Sequence, residues 1–119
     1  MIVSGTDSAP HPFASKSAQG KAPPAGVFTQ PYATQLVLRA FEDATEKGII
    51  AESDVTQEKL EGFFNKFGRA FYKLSDNSNG PKIVLERKGE KIPTSVQGEG
   101  LEVGISRSGD EVFSLSWEE

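Results

Sequence analysis

Between residues 31 and 47 the apolar positions Ala33, Leu36, Val37, Ala40, Phe41 and Ala44 recur at spacings of three and four, which puts them on one face of a helix. Thr29 is a possible N-cap, Pro31 suits the first helical position and Gly48 offers a C-terminal stop, so a core-facing helix is expected from about Pro31 to Lys47. A second helix is expected to begin after Asp54-Val55-Thr56. Thr56 can cap it, Val55 can pack on Leu60, and Leu60, Phe63, Phe64 and Phe67 form its stripe, with Gly68 expected to end it. From Arg69 onward the pattern turns to short extended pieces: Ala70–Leu74, then Lys82–Arg87 after the Asp76–Pro81 turn cluster. Leu101–Ile105 and Val112–Trp117 alternate with period two around Arg107-Ser108-Gly109-Asp110, which suits a hairpin with Phe113, Leu115 and Trp117 on one covered face.

The start of the chain reads differently. Ile2-Val3-Ser4-Gly5-Thr6 has the character of a strand, and Pro10 requires that strand to stop before it, leaving Asp7 and His11 just beyond a strand end. In parallel α/β folds that end carries catalytic groups. The polar stretch Pro12–Gln30 follows, containing Lys16, Gly20, Lys21 and the Pro23-Pro24-Ala25-Gly26 turn; it is longer than the ~12–15 residues of an idle connection, so by composition it is a disordered linker or an active-site loop.

A chain of 119 residues with 36% hydrophobic content fits one domain with a modest core. The formal charge of −4 comes without blocks of like charge, so neither a nucleic-acid groove nor an anionic membrane surface is indicated. No run reaches the ~20 apolar residues of a membrane span. The absence of cysteine removes disulfides and thiolate metal sites and agrees with a reducing compartment, so a cytoplasmic location is expected.

His11 is the single histidine, so a triad or a multi-histidine zinc site cannot be built from these residues alone. Asp7 and His11 could converge on one cavity, as a carboxylate for metal binding or proton transfer and an imidazole for an anion. The structural alternative is an Asx-type turn at Asp7-Ser8 with His11 solvated. The spacing of Gly5, Gly20 and Gly26 matches no phosphate-binding fingerprint.

Taken together, Gly5-Thr6-Asp7-Ser8-Ala9-Pro10-His11 and the following Ala25-Gly26-Val27-Phe28 closely resemble the last barrel strand and substrate loop of dihydroorotases of the homodimeric, bacterial and fungal type. Phe63-Phe64, the run Gly68-Arg69-Ala70-Phe71-Tyr72-Lys73-Leu74, Ile92-Pro93 and the closing Leu115-Ser116-Trp117 are similar to that family's late helix and C-terminal extension. The resemblance implies the C-terminal part of an α/β, (β/α)8 TIM barrel of the amidohydrolase type: residues 1–48 as last strand, substrate loop and last barrel helix, and 49–119 as a further helix and a small β-hairpin extension. It also implies reversible cyclisation of N-carbamoyl-L-aspartate to L-dihydroorotate in pyrimidine biosynthesis, with two zinc ions. By match to the motif, Asp7 would be a zinc ligand and the proton carrier, His11 would hold the substrate carboxylate, and the backbone at Ala25 and Gly26 would help hold the same group. The family's metal-binding histidines and bridging lysine lie on earlier strands, and a barrel needs roughly 250 residues. The expected partners are therefore the small-molecule substrate, an N-terminal barrel portion and a possible second copy. Alone, the chain is expected to be inactive. A different class of reading makes it a truncated, non-enzymatic relative serving as an interaction or regulatory subunit.

Overall fold

The computed structural model describes residues 2–119, with helical segments first and strands last. α1 spans Phe13–Ser17, a 3-10 turn at Gln30–Tyr32 leads into α2 (Ala33–Glu46), and a second 3-10 turn covers Glu52–Asp54. α3 (Gln57–Glu61), a π-helical turn (Gly62–Lys66) and α4 (Phe67–Phe71) then run on without interruption. Four strands follow: β1 (Lys82–Lys91), β2 (Ser95–Gly98), β3 (Leu101–Gly104) and β4 (Glu111–Glu118). β1 pairs with β4 and β2 with β3, as two separate two-stranded sheets. The chain divides into two compact units. One holds the first residues up to Gly5 with Thr34–Glu86 and Leu115–Glu119, and the other holds Thr6–Ala33 with Arg87–Ser114.

In the first unit, α2 lies where its periodicity places it. It ends as the sequence indicates, with the N–H of Gly48 on the Thr45 carbonyl and that of Ile49 on the Ala44 carbonyl. Leu36, Val37 and Phe41 on the expected face are half-buried and Ala40 is exposed, while Gln35 is the buried residue of the helix. Thr56 caps the next helix by accepting the Lys59 N–H. Gly68 does not end that helix, contrary to expectation. Glycine inside a helix costs about 1 kcal/mol without terminating it, and the stop comes at Lys73, which takes a φ of 55° while the Leu74 N–H closes on the Arg69 carbonyl. Ala70 and Phe71 are therefore helical and not extended. The π turn has local causes. A β-carbon at Gly62 would lie 2.5 Å from the Phe67 ring, so the wider turn seats that ring against bare backbone five residues earlier. The same five-residue spacing brings Lys66 Nζ to 2.5 Å from Glu61 Oε2.

In the second unit the hairpin differs from the one the alternation suggested. β2 and β3 pair antiparallel, Ser95 with Gly104 through Gly98 with Leu101, so Glu99-Gly100 makes the turn. Arg107–Asp110 instead folds back on the end of β1. The Ile92 N–H donates to the Asp110 carbonyl, the Gly109 N–H donates to the Ile92 carbonyl, and Arg107 Nε bonds Asp110 Oδ2 at 2.8 Å. Alternation shows which face is apolar but not which strand will be its neighbour. The wrapping encloses Ile92, which is 2% exposed, with Ile105, Val112 and Phe113 as the other buried apolar residues. Val112 and Phe113 are adjacent, so β4 is covered on both faces at its start, where the Arg87 guanidinium stands 4.7 Å over the Phe113 ring. The expected cover over the Phe113, Leu115 and Trp117 face does not reach its end: Phe113 is buried and Leu115 half-buried, but Trp117 is 67% exposed.

Residues 2–6 form no strand. A strand needs neighbours to take its backbone hydrogen bonds, and among the described residues this segment finds one backbone–backbone bond, from the Ser4 N–H to the Phe63 carbonyl, with the Thr29 hydroxyl on the Thr6 carbonyl. The exposed surface tells the same story. The chain exposes 8743 Å², whereas a compact protein of 12.9 kDa exposes about 6,300 Å² and two compact halves about 7,600 Å². The excess holds whatever the placement of the units, and it includes Ile2, Ile49, Phe71, Tyr72, Leu74 and Trp117. Small cores with large apolar faces left open are what a segment of a larger fold presents.

Candidate active site

The loop after residue 6 is built as two lengths of chain lying side by side. The Ala9 N–H donates to the Val27 carbonyl at 2.9 Å. The Ser8 hydroxyl accepts both the Thr29 and the Gln30 N–H at 3.2 Å, and Thr6 Oγ1 bonds Gln30 Oε1 at 2.8 Å. Gly26 makes the close approach possible. Its φ is +100°, and a β-carbon there would stand 2.5 Å from the Ala9 β-carbon and 3.1 Å from the Ala9 carbonyl oxygen.

This arrangement brings three of the four predicted site residues together. His11 Nε2 lies 2.7 Å from the Ala25 carbonyl oxygen. A carbonyl only accepts, so Nε2 carries the proton and Nδ1 is the nitrogen left over. Gly26 follows directly, packed on Ala9. Asp7 stands apart: its carboxylate is exposed and makes no hydrogen bond or ion pair among the described residues. Its backbone is unusual, with a φ of 46° in the left-handed region that aspartate and asparagine tolerate better than most residues. The turn is not the Asx type considered from the sequence, since the Ala9 N–H donates to the Val27 carbonyl and not to the Asp7 carboxylate.

The polar stretch 12–30 is anchored and is not a free linker. Pro12 forms an isolated antiparallel bridge with Val103, and the Phe13 ring covers Gly104, where a β-carbon would meet it at 3.0 Å. The Ser106 N–H holds the Phe28 carbonyl at 3.0 Å. Sequence reasoning missed two participants, Ser8 and Lys16. Ser8 had a legible signal, a small hydroxyl beside a turn-forming aspartate. Lys16 had none, because its partners are backbone carbonyls.

Tyr32, which closes the loop, is the titratable group of this unit with a shifted pKa. Burial raises its pKa above 10.0, and the charge and hydrogen bond of Glu90 add to the rise. A raised folded-state value means that the neutral Tyr32 phenol, desolvated and bonded to Glu90, contributes stability that is present below pH 10.0 and lost as pH climbs through the folded value. Phenolate absorbance in a Tyr72→Phe background should show a single midpoint above 10.0. A midpoint at or below 10.0 would contradict the burial of Tyr32 beside Glu90.

No protein-family model matches the chain. Among curated proteins, dihydroorotase of Saccharomyces cerevisiae is 30% identical over 118 residues, covering 96% of this chain and 29% of that protein. Dihydroorotase of Halorhodospira halophila is 38% identical over 117 residues, covering 98% and 29%. The crystal structure of the Saccharomyces cerevisiae enzyme in complex with 5-fluoroorotic acid superposes with a TM-score of 0.75 at 29% identity, over 98% of this chain and 30% of that one. This chain is homologous to the C-terminal portion of dihydroorotases. It spans less than a third of the length of the relatives it matches.

Homology to part of the dihydroorotases makes zinc, the metal the motif resemblance implies, the group to test against the residues. Catalytic zinc is held by about three protein ligands, and among the described residues no three His, Cys, Asp or Glu side chains converge. Asp7 is free to be one ligand, and His11 is committed to the loop through Nε2. These residues do not make up a zinc site by themselves. Among the described residues no helix is long and apolar enough to cross a membrane.

Proposed function

We propose that these 119 residues form the C-terminal part of a zinc-dependent dihydroorotase, a cytoplasmic enzyme that reversibly cyclises N-carbamoyl-L-aspartate to L-dihydroorotate, and that they supply one side of its active site. The observation that carries this reading is the pairing of residues 6–11 with 24–30, which ties His11 to Ala25 and seats Gly26 on Ala9. That pairing brings the His11 imidazole to the backbone of Ala25 and leaves the Asp7 carboxylate unencumbered.

In this reading residues 2–6 are the last strand of a (β/α)8 barrel, which becomes a strand when its neighbours are present. Asp7 would hold zinc together with ligands outside this segment, and zinc bound there would activate water for attack on the amide carbonyl near neutral pH. The chain's own residues do the rest of what falls to them. The His11 imidazole and the backbone amides beside Ala25 hold and orient the substrate carboxylate. Asp7 carries the proton that the ring nitrogen gains when the amide C–N bond breaks and gives up when it re-forms. The yeast relative's complex with an orotic acid analogue supports a small cyclic carboxylate as ligand class.

The test is turnover. The complete natural polypeptide containing this segment should interconvert L-dihydroorotate and N-carbamoyl-L-aspartate, and the 119 residues alone should not. A complete polypeptide without that activity would overturn the reading in favour of a non-catalytic role.

A further inference from the structure

Lys16 sits in α1 with its ammonium on the loop. It donates to the Pro24 carbonyl oxygen and, at 2.6 Å, to that of Gly26. The carbonyl between them, that of Ala25, is the one held by His11 Nε2 at 2.7 Å. Three successive carbonyls are thus gripped in alternation, the outer pair by Lys16 and the middle one by His11.

The grip has a geometric consequence. Every peptide bond is trans, and in a trans peptide the N–H points opposite the carbonyl of the same unit. Fixing the carbonyls of residues 24, 25 and 26 therefore fixes the directions of the Ala25, Gly26 and Val27 N–H groups. None of those three N–H groups donates to another group among the described residues. They are aimed and unused. The base of the clamp is itself held, because α1 is anchored by the Phe13 ring on Gly104 and by the Pro12–Val103 bridge. A line of fixed contacts runs from β3 through α1 and Lys16 to the loop.

We infer that Lys16 is a positioning residue for substrate: by holding the Pro24 and Gly26 carbonyls it turns the Ala25 and Val27 N–H groups to the opposite side, where they meet the substrate carboxylate beside His11. The inference rests on the dihydroorotase reading above. It differs from a merely structural surface contact in what it predicts, because a clamp on binding amides acts on substrate affinity and on loop order together, and global stability is not its object.

The test uses the complete natural polypeptide with Lys16→Met and Lys16→Arg. Lys16→Met should raise KM about tenfold while kcat stays within about twofold, because two charge-assisted bonds that order the loop are lost and the proton-carrying Asp7 is untouched. Trypsin cleavage after Lys21, at the far side of the same loop, should quicken about tenfold as local opening becomes easier. Lys16→Arg, which keeps the charge and at least two donors, should bring both readouts most of the way back. A Lys16→Met protein with unchanged KM overturns the inference, and so does one whose KM rises while the cleavage rate does not, since that pattern marks a direct substrate contact. A wild-type polypeptide without activity overturns the parent reading instead, and an active wild type with a silent Lys16→Met overturns this inference alone.

Discussion

Asp7→Asn in the complete natural polypeptide is expected to lower kcat by about 10³-fold or more while leaving the fold intact. The chemical part of this expectation follows from the role assigned to the carboxylate: an amide cannot take up a proton, and positioned general acid–base groups contribute about 10²- to 10⁴-fold. The structural part follows from the local backbone. Asp7 has a φ of 46°, a conformation that asparagine shares with aspartate at little cost. Its carboxylate makes no hydrogen bond or ion pair among the described residues, so replacing it leaves no partner stranded. Stability should therefore change by less than about 0.5 kcal/mol, as for ordinary surface substitutions. Alanine is the poorer probe, because its β-carbon would be strained at that φ. Retention of a tenth or more of wild-type kcat in Asp7→Asn would remove Asp7 from the chemistry.

Gly26→Ala is expected to separate the two halves of the loop. The new β-carbon would stand 2.5 Å from the Ala9 β-carbon and 3.1 Å from its carbonyl oxygen, both rigidly attached to backbone, and φ there is +100°. Left-handed strain and overpacking together cost about 2–4 kcal/mol, more than the single Ala9–Val27 backbone hydrogen bond can withstand. The Ala9 amide should exchange with solvent at least about 30-fold faster, and KM should rise because Ala25 leaves His11. Adding Ala9→Gly removes the nearest clashing atom and should recover part of the loss, with the φ strain remaining. Unchanged exchange at Ala9 in Gly26→Ala would mean that the two chain segments are not in the register described.

The sequence carried the helices better than the strands, for physical reasons visible in particular residues. α2 is specified locally: its apolar spacing, Pro31 at the start and Gly48 at the stop all lie within a few residues of the bonds they control. The Thr56 cap is equally local. The stop at Lys73 was not legible, because a non-glycine residue takes the left-handed position and Gly68 offers a misleading alternative. β pairing is a non-local choice. The alternation in 101–105 and 112–117 was real, but the partners are 95–98 for β3 and β1 for β4.

Ile2–Thr6 illustrates a different limit. Its strand character is written in the residues, yet a strand exists only with neighbours, and this chain gives it one hydrogen bond to Phe63. At the candidate site, no spacing rule joins His11 to Ala25 across the loop or sets Gly26 against Ala9. The motif resemblance named those residues together, and the backbone register of 6–11 on 24–30 gives them a common location. Lys16 was invisible to both, since its role is written in carbonyl positions that no side-chain pattern encodes.

The central claim is that this segment is one part of a dihydroorotase site whose remaining residues lie outside it. The most direct measurement is the rate of L-dihydroorotate hydrolysis, with zinc present, for the complete natural polypeptide and for the 119 residues alone. The account predicts turnover by the former and none by the latter. Turnover by the 119 residues alone, or none by the complete polypeptide, would contradict it.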